Sequence, residues 1–295
     1  MARGLDHVAH AVRDLAAAAA LYAQAGFTVG ARNRHAPDWG TANHIVQLPG
    51  FFVELLAMAD ASASAIAPHA ERFFSFGAFN RDFLAHGQGL SMLVLEGRDS
   101  AAEAAAFRAA GIGDFKLFEF EREAKRPDGT PAKVAFSLVF ARDAKAPEIG
   151  AFTCKQRYPE NFWNPAFQRH TNTATGIAGV VLVAEKPDDH RDFLAAFTGA
   201  REVHATSAGI AIKTARGEIK VMDPAAFARQ FGTPPPDTAH GARLAALRFA
   251  VRDRAAARAA LQAGNIDFSE PMQRLVVGPD TALGATLVFE TAATG

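Results

Sequence analysis

The stretch Gly4-Leu5-Asp6-His7-Val8-Ala9-His10-Ala11-Val12-Arg13-Asp14 alternates small or polar with apolar residues, as a half-buried strand does. An Ala-rich run follows, with high helix propensity, and Ala25-Gly26-Phe27 closes it, Gly26 being placed to take a left-handed cap. The same order recurs three times. Gly89 to Glu96 is strand-like, reaches Asp99, and leads to a helix over 100–109 that ends at Ala110-Gly111. A looser copy runs from Gly176 to Ala184, through a helix near His190–Phe197, to Gly199. Leu244 to Val251 enters Arg252-Asp253, an echo of Val12-Arg13-Asp14, and its helix ends at Ala263-Gly264.

Short strand candidates follow each strand–helix unit. They cover 27–34, 41–48 and 51–58 in the first copy, and 115–123 and 132–141 in the second, around a turn at Pro127-Asp128-Gly129. In the third they cover 201–206, 209–214 and 217–222, and in the fourth 272–278 and 284–290. The repeated unit is βαβββ. One unit leaves its strand edges open, so units must pair. The expected fold is α+β, with four βαβββ modules forming two curved, barrel-like mixed sheets and helices outside. The expected division is 1–150 for modules 1 and 2, an aromatic linker over 151–175, and 176–295 for modules 3 and 4. Residues 60–88 and 150–175 are read as connections, and Pro234-Pro235-Pro236 as a stiff surface linker.

Composition narrows the function classes. The 295 residues carry 31 basic and 31 acidic side chains, so no basic surface for nucleic acid or an acidic membrane is expected. Arg122, Lys125 and Arg126 are interspersed with Glu121 and Glu123 and read as a solvated hairpin face. The single cysteine, Cys154, forms no internal disulfide or CxxC pair and reads as a small buried residue. No signal-peptide pattern or membrane-spanning run is evident, so a cytoplasmic protein, monomeric or homodimeric, is expected. Nucleotide loops and the serine-hydrolase elbow are missing. With 24 Phe against two Tyr, an apolar pocket is expected, holding a small-molecule substrate with a hydrophobic part.

The opening Leu5-Asp6-His7-Val8, the closing Phe52-Val53-Glu54-Leu55, and His35 with Trp39-Gly40-Thr41 and Asn43 resemble the vicinal-oxygen-chelate superfamily. The closer likeness is to its bacterial glyoxalase-like proteins of two domains. Phe73 to Gly77 and the segment Pro159–His170 look similar too. The resemblance implies a divalent metal (Zn, Mn, Fe, Ni or Co) inside a curved sheet, with His7 and Glu54 as ligands and a substrate bound through vicinal oxygens. It implies metal-assisted isomerase or lyase chemistry, with Glu54 alternatively the general base. Aligning the copies puts Met92, Gly179 and Ala246 at the His7 position, and a residue near Ser137 and Val288 at the Glu54 position. The ligand set is incomplete, which leaves two other readings open: a drug-sequestering binding protein, and a protein that kept only the fold. Three ways out are open: a residue such as His170 or His86 completes the site, a substrate completes it, or the metal has been lost and His7 and Glu54 are polar groups of a binding pocket. An extradiol dioxygenase is disfavoured, because that pattern's ligands are missing from modules three and four.

His7 shares a strand face with Ala9 and Ala11, which leave room for a pocket, whereas His10 faces the helix with Val8 and Val12. Glu54 stands in an apolar strand, where a buried charge requires a partner, a metal or a proton. Asn43, Trp39, Arg157, Trp163 and His170 are the expected substrate-binding residues. His44 is expected outside the pocket.

Overall fold

The computed structural model describes residues 2–59, 66–125 and 130–291. The expected turn at Pro127-Asp128-Gly129, with Arg126, lies outside the described residues.

Module 1 is β1 (Leu5–Ala11), α1 (Leu15–Gln24), β2 (Asn33–Arg34), β3 (Thr41–Leu48) and β4 (Phe51–Met58). After α2 (Phe76–His86), module 2 is β5 (Gly89–Glu96), α3 (Ser100–Ala109), β6 (Phe118–Lys125), β7 (Pro131–Ala141) and β8 (Gly150–Gln156). Module 3 is β9 (Ala174–Val183), α4 (Arg191–Thr198), β10 (His204–Thr206), β11 (Gly209–Lys213) and β12 (Glu218–Met222). Then come α5 (Pro224–Phe231) and module 4: β13 (Arg243–Val251), α6 (Arg254–Ala263), β14 (Leu275–Val277) and β15 (Thr286–Thr291).

The strands pair in the order β2-β3-β4-β1-β5-β8-β7-β6 in one mixed sheet and β10-β11-β12-β9-β13-β15-β14 in the other. Each sheet joins two modules through antiparallel first strands, β1 with β5 and β9 with β13. The recurring aspartates are helix N-caps. Asp14 accepts from the Ala16 and Ala17 amides, Asp99 from Ala102, and Asp253 from Ala255 and Ala256. Gly26 takes the left-handed conformation, with φ +85°, that ends α1.

One strand overturns a sequence expectation. Gly150–Gln156 is not part of a connection but the strand β8, parallel to β5 with Met92 opposite Gly150 and Glu96 opposite Cys154. The segment joining the sheets therefore begins after Gln156. The first five residues of β8 are all buried, and a strand buried on both faces lacks the alternation that marks a half-buried one. The expected strand over 27–34 shrinks to Asn33–Arg34.

A shared core unites the two sheets. Val8, Leu55, Val139, Val180, Leu194, Phe249 and Phe289 belong to one buried apolar cluster spanning all four modules. A buried His190–Asp143 contact (2.6 Å) adds a polar tie between the halves. The opposite face of the first sheet carries a separate cluster, with Ala9, Met92, Phe136, Phe140 and Phe152 among its members. None of the helices among the described residues is long and apolar enough to cross a membrane.

Candidate functional site

The second cluster surrounds a cavity of about 80 Å³, room for several waters or a small organic group. Its lining includes Asn43 of β3, Glu54 of β4, His7 of β1 and Phe120 of β6. In the strand order β3 and β6 stand near opposite ends of the sheet. Side chains from both line one cavity, so this sheet curls round it.

A bulge makes the site's first feature. On β1 the register against β5 shifts between Leu5 and His7, so Asp6 is the inserted residue and His7 faces Val94. A bulge re-aims side chains that would otherwise point to opposite faces. Here it brings Asp6 beside His7, whose Nδ1 donates to Asp6 Oδ1 at 2.5 Å. With the carboxylate accepting, Nδ1 carries the proton of this contact. The imidazole is held further by stacking on Phe52 (centroids 4.2 Å apart, 13° between planes) and by the edge contact with Phe152. β13 repeats the register shift between Leu244 and Ala246, so the bulge belongs to the module pattern and only this copy fills it with Asp and His.

The second feature is Glu54, buried and opposite Ala9 in the parallel register of β1 and β4. Its Oε1 accepts from Asn43 Nδ2 at 2.6 Å. The same amide nitrogen reaches His35 Nε2 at 3.0 Å, and His35 Nδ1 donates to Thr41 Oγ1 at 2.7 Å. Asn33 Nδ2 in turn donates to Asn43 Oδ1. Burial lowers the His35 pKa, Glu54 opposes that shift and Arg122 adds to it. A neutral His35 that accepts at Nε2 and donates at Nδ1 fits every contact in this network.

Three donors come together: Asp6, His7 and Cys154 are buried and offer ligand atoms within 4.8 Å of one another. Nitrogen, oxygen and sulfur donors in such a group suit a divalent transition metal. Glu54, expected as the partner of His7 in metal binding, lies outside this group and accepts from Asn43, with His35 Nε2 3.5 Å away. The register explains the rest. Met92 pairs with Ala9 as His7 pairs with Val94, so Met92 is the module 2 counterpart of His7. Val94 faces Phe152 as Ala9 faces Glu54, so the counterpart of Glu54 is Phe152 on β8, not a residue near Ser137 on β7. Burial, together with Asp6 and Glu54, pushes the Cys154 thiol well up.

The expected binding residues divide. Trp39 and Asn43 line the cavity. Trp163 stands behind that lining, its ring against Phe52 and Phe162, and Phe162 itself is a wall of the cavity. Arg157 is elsewhere: it donates to Ser137 and Glu119, whose strand neighbours Leu138 and Phe120 face the cavity, so Arg157 is on the other face of the sheet. His170 is spent on structure. It accepts from the Thr28 amide at Nδ1 and donates to the Gln47 carbonyl from Nε2, and burial lowers its pKa. His86 is largely exposed near Glu148 and takes no part. His44 bonds the Gly30 carbonyl, outside the lining.

Arg122 was missed. Read as part of a solvated hairpin face, it is exposed there and also lines the cavity. The signal was available, because Phe118, Phe120 and Arg122 alternate along β6 and must share a face.

The chain belongs to the glyoxalase-like domain family, whose model matches residues 5–198. The fold is that of the vicinal-oxygen-chelate superfamily. A hypothetical protein from Staphylococcus aureus is 11% identical, with a TM-score of 0.69 over 98% of this chain and 99% of that one. A mutant 4-hydroxymandelate synthase from Streptomyces coelicolor is 11% identical, with a TM-score of 0.57 over 100% and 94%. A Mn(II)-bound glyoxalase from Novosphingobium aromaticivorans is 13% identical, with a TM-score of 0.52 over 98% and 82%. At these identities the likeness is one of fold. Comparison with curated proteins finds no match.

Proposed function

We propose that this protein is a metal-assisted enzyme of the glyoxalase-like kind, moving a proton on a small, oxygenated, partly apolar organic molecule as an isomerase or lyase. The observation that carries the reading is one aromatic-walled cavity lined both by a buried, oriented Glu54 and by His7 and Cys154 of the donor group that Asp6 completes. A catalytic zinc-type site uses three protein ligands and keeps a position open. In this reading Asp6, His7 and Cys154 hold the ion, which supplies Lewis-acid polarisation of substrate oxygens when bound. The thiolate and imidazole donors favour zinc over manganese.

The chain's own residues divide the remaining work. Asn43 fixes Oε1 of Glu54, which orients the carboxylate to accept a proton from a carbon next to the substrate's oxygen. His35 and Asn33 hold Asn43 in turn. Phe52, Phe120, Phe136 and Phe162 take the apolar part of the substrate and exclude water. Where no ion is bound, Asp6 fixes the ring of His7 through Nδ1, and a bound ion would take the place of the proton between them.

The test is carbon-bound proton exchange in D2O, followed by NMR, over small aryl-bearing 2-hydroxy and 2-oxo compounds. Wild type should exchange the proton next to the oxygenated carbon of at least one compound. Glu54→Gln should lose that exchange by ~100-fold or more, the lower range of a general base's contribution. Binding without exchange across the set would contradict the enzyme reading and favour the drug-sequestering alternative.

A further inference from the structure

Arg122 is the guanidinium in the cavity lining, and no partner for it stands among the described residues. Its neighbours on β6 are committed on the other face: Glu119 to Arg157 and Ser137, and Glu121 to Lys133. Arg122 points the other way, in the row of Phe118 and Phe120, and has no hydrogen-bond or ion-pair partner among the described residues. It lines the cavity on one side and the outer groove beside Pro131 and Lys133 on the other, so it stands at the mouth. Overall it is exposed, yet its guanidinium is desolvated enough to lower its pKa.

A partly desolvated guanidinium at the rim of an apolar pocket is placed to form a charge-assisted pair with an anion. The pocket's other charged groups set the direction. Within the lining Glu54 of β4 is the carboxylate and Arg122 of β6 the guanidinium, and they act on His35 in opposite senses. An anion placed deep would meet Glu54. One at the mouth meets Arg122.

We propose that Arg122 recognises a carboxylate on the outer end of the substrate, making the substrate an amphipathic carboxylate whose apolar body lies along Phe120, Phe136 and Phe162. The proposal rests on the cavity being the substrate site and adds the class of molecule it takes. It also sets polarity: the anion stays outward and the reacting carbon reaches Glu54.

A matched pair of probes, 3-phenylpropanoate and its neutral amide, tests this by calorimetry and ligand-observed NMR. Wild type should bind the acid about tenfold more tightly than the amide, the size expected of one charge-assisted pair that is partly solvated. Arg122→Gln should erase the preference and keep the amide's affinity, and Arg122→Lys should recover part of it. The acid's advantage should also shrink with salt. Equal binding of both probes by wild type, binding of neither, a preference that survives Arg122→Gln, or parallel loss of the amide would overturn the proposal. The probes carry no vicinal oxygens, so the result stands apart from the exchange assay. Exchange without an acid preference sinks only the role of Arg122, and an acid preference without exchange sinks only the enzyme reading.

Discussion

His7 and His10 stand three residues apart on β1 and meet opposite environments. His7 faces the cavity with its proton held by Asp6. His10 faces the shared core, bonded to the Tyr22 hydroxyl and the Leu283 carbonyl, as alternation required. Full burial lowers its pKa to about 4 from 6.5. The unfolded chain therefore binds more protons than the folded one between those values. The neutral form's stabilisation is complete above pH 6.5 and is lost as pH falls toward 4, by up to about 3 kcal/mol. Urea unfolding at pH 7, 5.5 and 4.5 should show that fall, with His35 and His170 adding in the same direction. His10→Gln should flatten it, and an unchanged slope in that variant would place the titration elsewhere.

At the scale of elements, the joining segment and β8 show what the sequence did and did not disclose. The repeat was legible because three of the four copies spend an Asp as helix cap, and every copy places a residue with positive φ at or near the helix end, and those needs are local. In the fourth copy that step falls on Asn265, one residue after the expected Gly264. His7, Glu54, Asn43 and Trp39 were legible by alternation and motif. Cys154 was not, because β8 is buried on both faces and runs without a break into an aromatic segment. Asp6 was hidden for another reason: only a bulge turns it beside His7, and a bulge is a relation between two strands. His170, expected to bind substrate, instead fastens the joining segment to Thr28 and Gln47. His170→Ala should therefore cost about 2 kcal/mol in denaturant unfolding through two lost hydrogen bonds. It should leave the metal content as in wild type, since His170 is no ligand; loss of metal would contradict this placement.

Across the whole molecule, one sheet carries chemistry and the other supports it. The positions of His7, Glu54, Met92 and Phe152 fall on Gly179, Lys220, Ala246 and Val288 in the second sheet, none of them a usual metal ligand. That face is filled by Phe227 and Phe231 of α5, both fully buried. Arg248 joins Glu218 and Glu290 there, and Arg274 reaches Glu290. The shared core then lets the second sheet hold the back of the first, so that the curl round the cavity is kept within one chain. The most direct measurement is elemental analysis of protein purified without a chelating tag, as isolated and after incubation with Zn, Mn, Fe, Ni or Co. Near-stoichiometric metal, with zinc preferred, should be present in wild type and Glu54→Ala and lost in His7→Ala and Cys154→Ala. No metal under any condition, or metal retained in both of those variants, would contradict a metal-assisted site built on Asp6, His7 and Cys154.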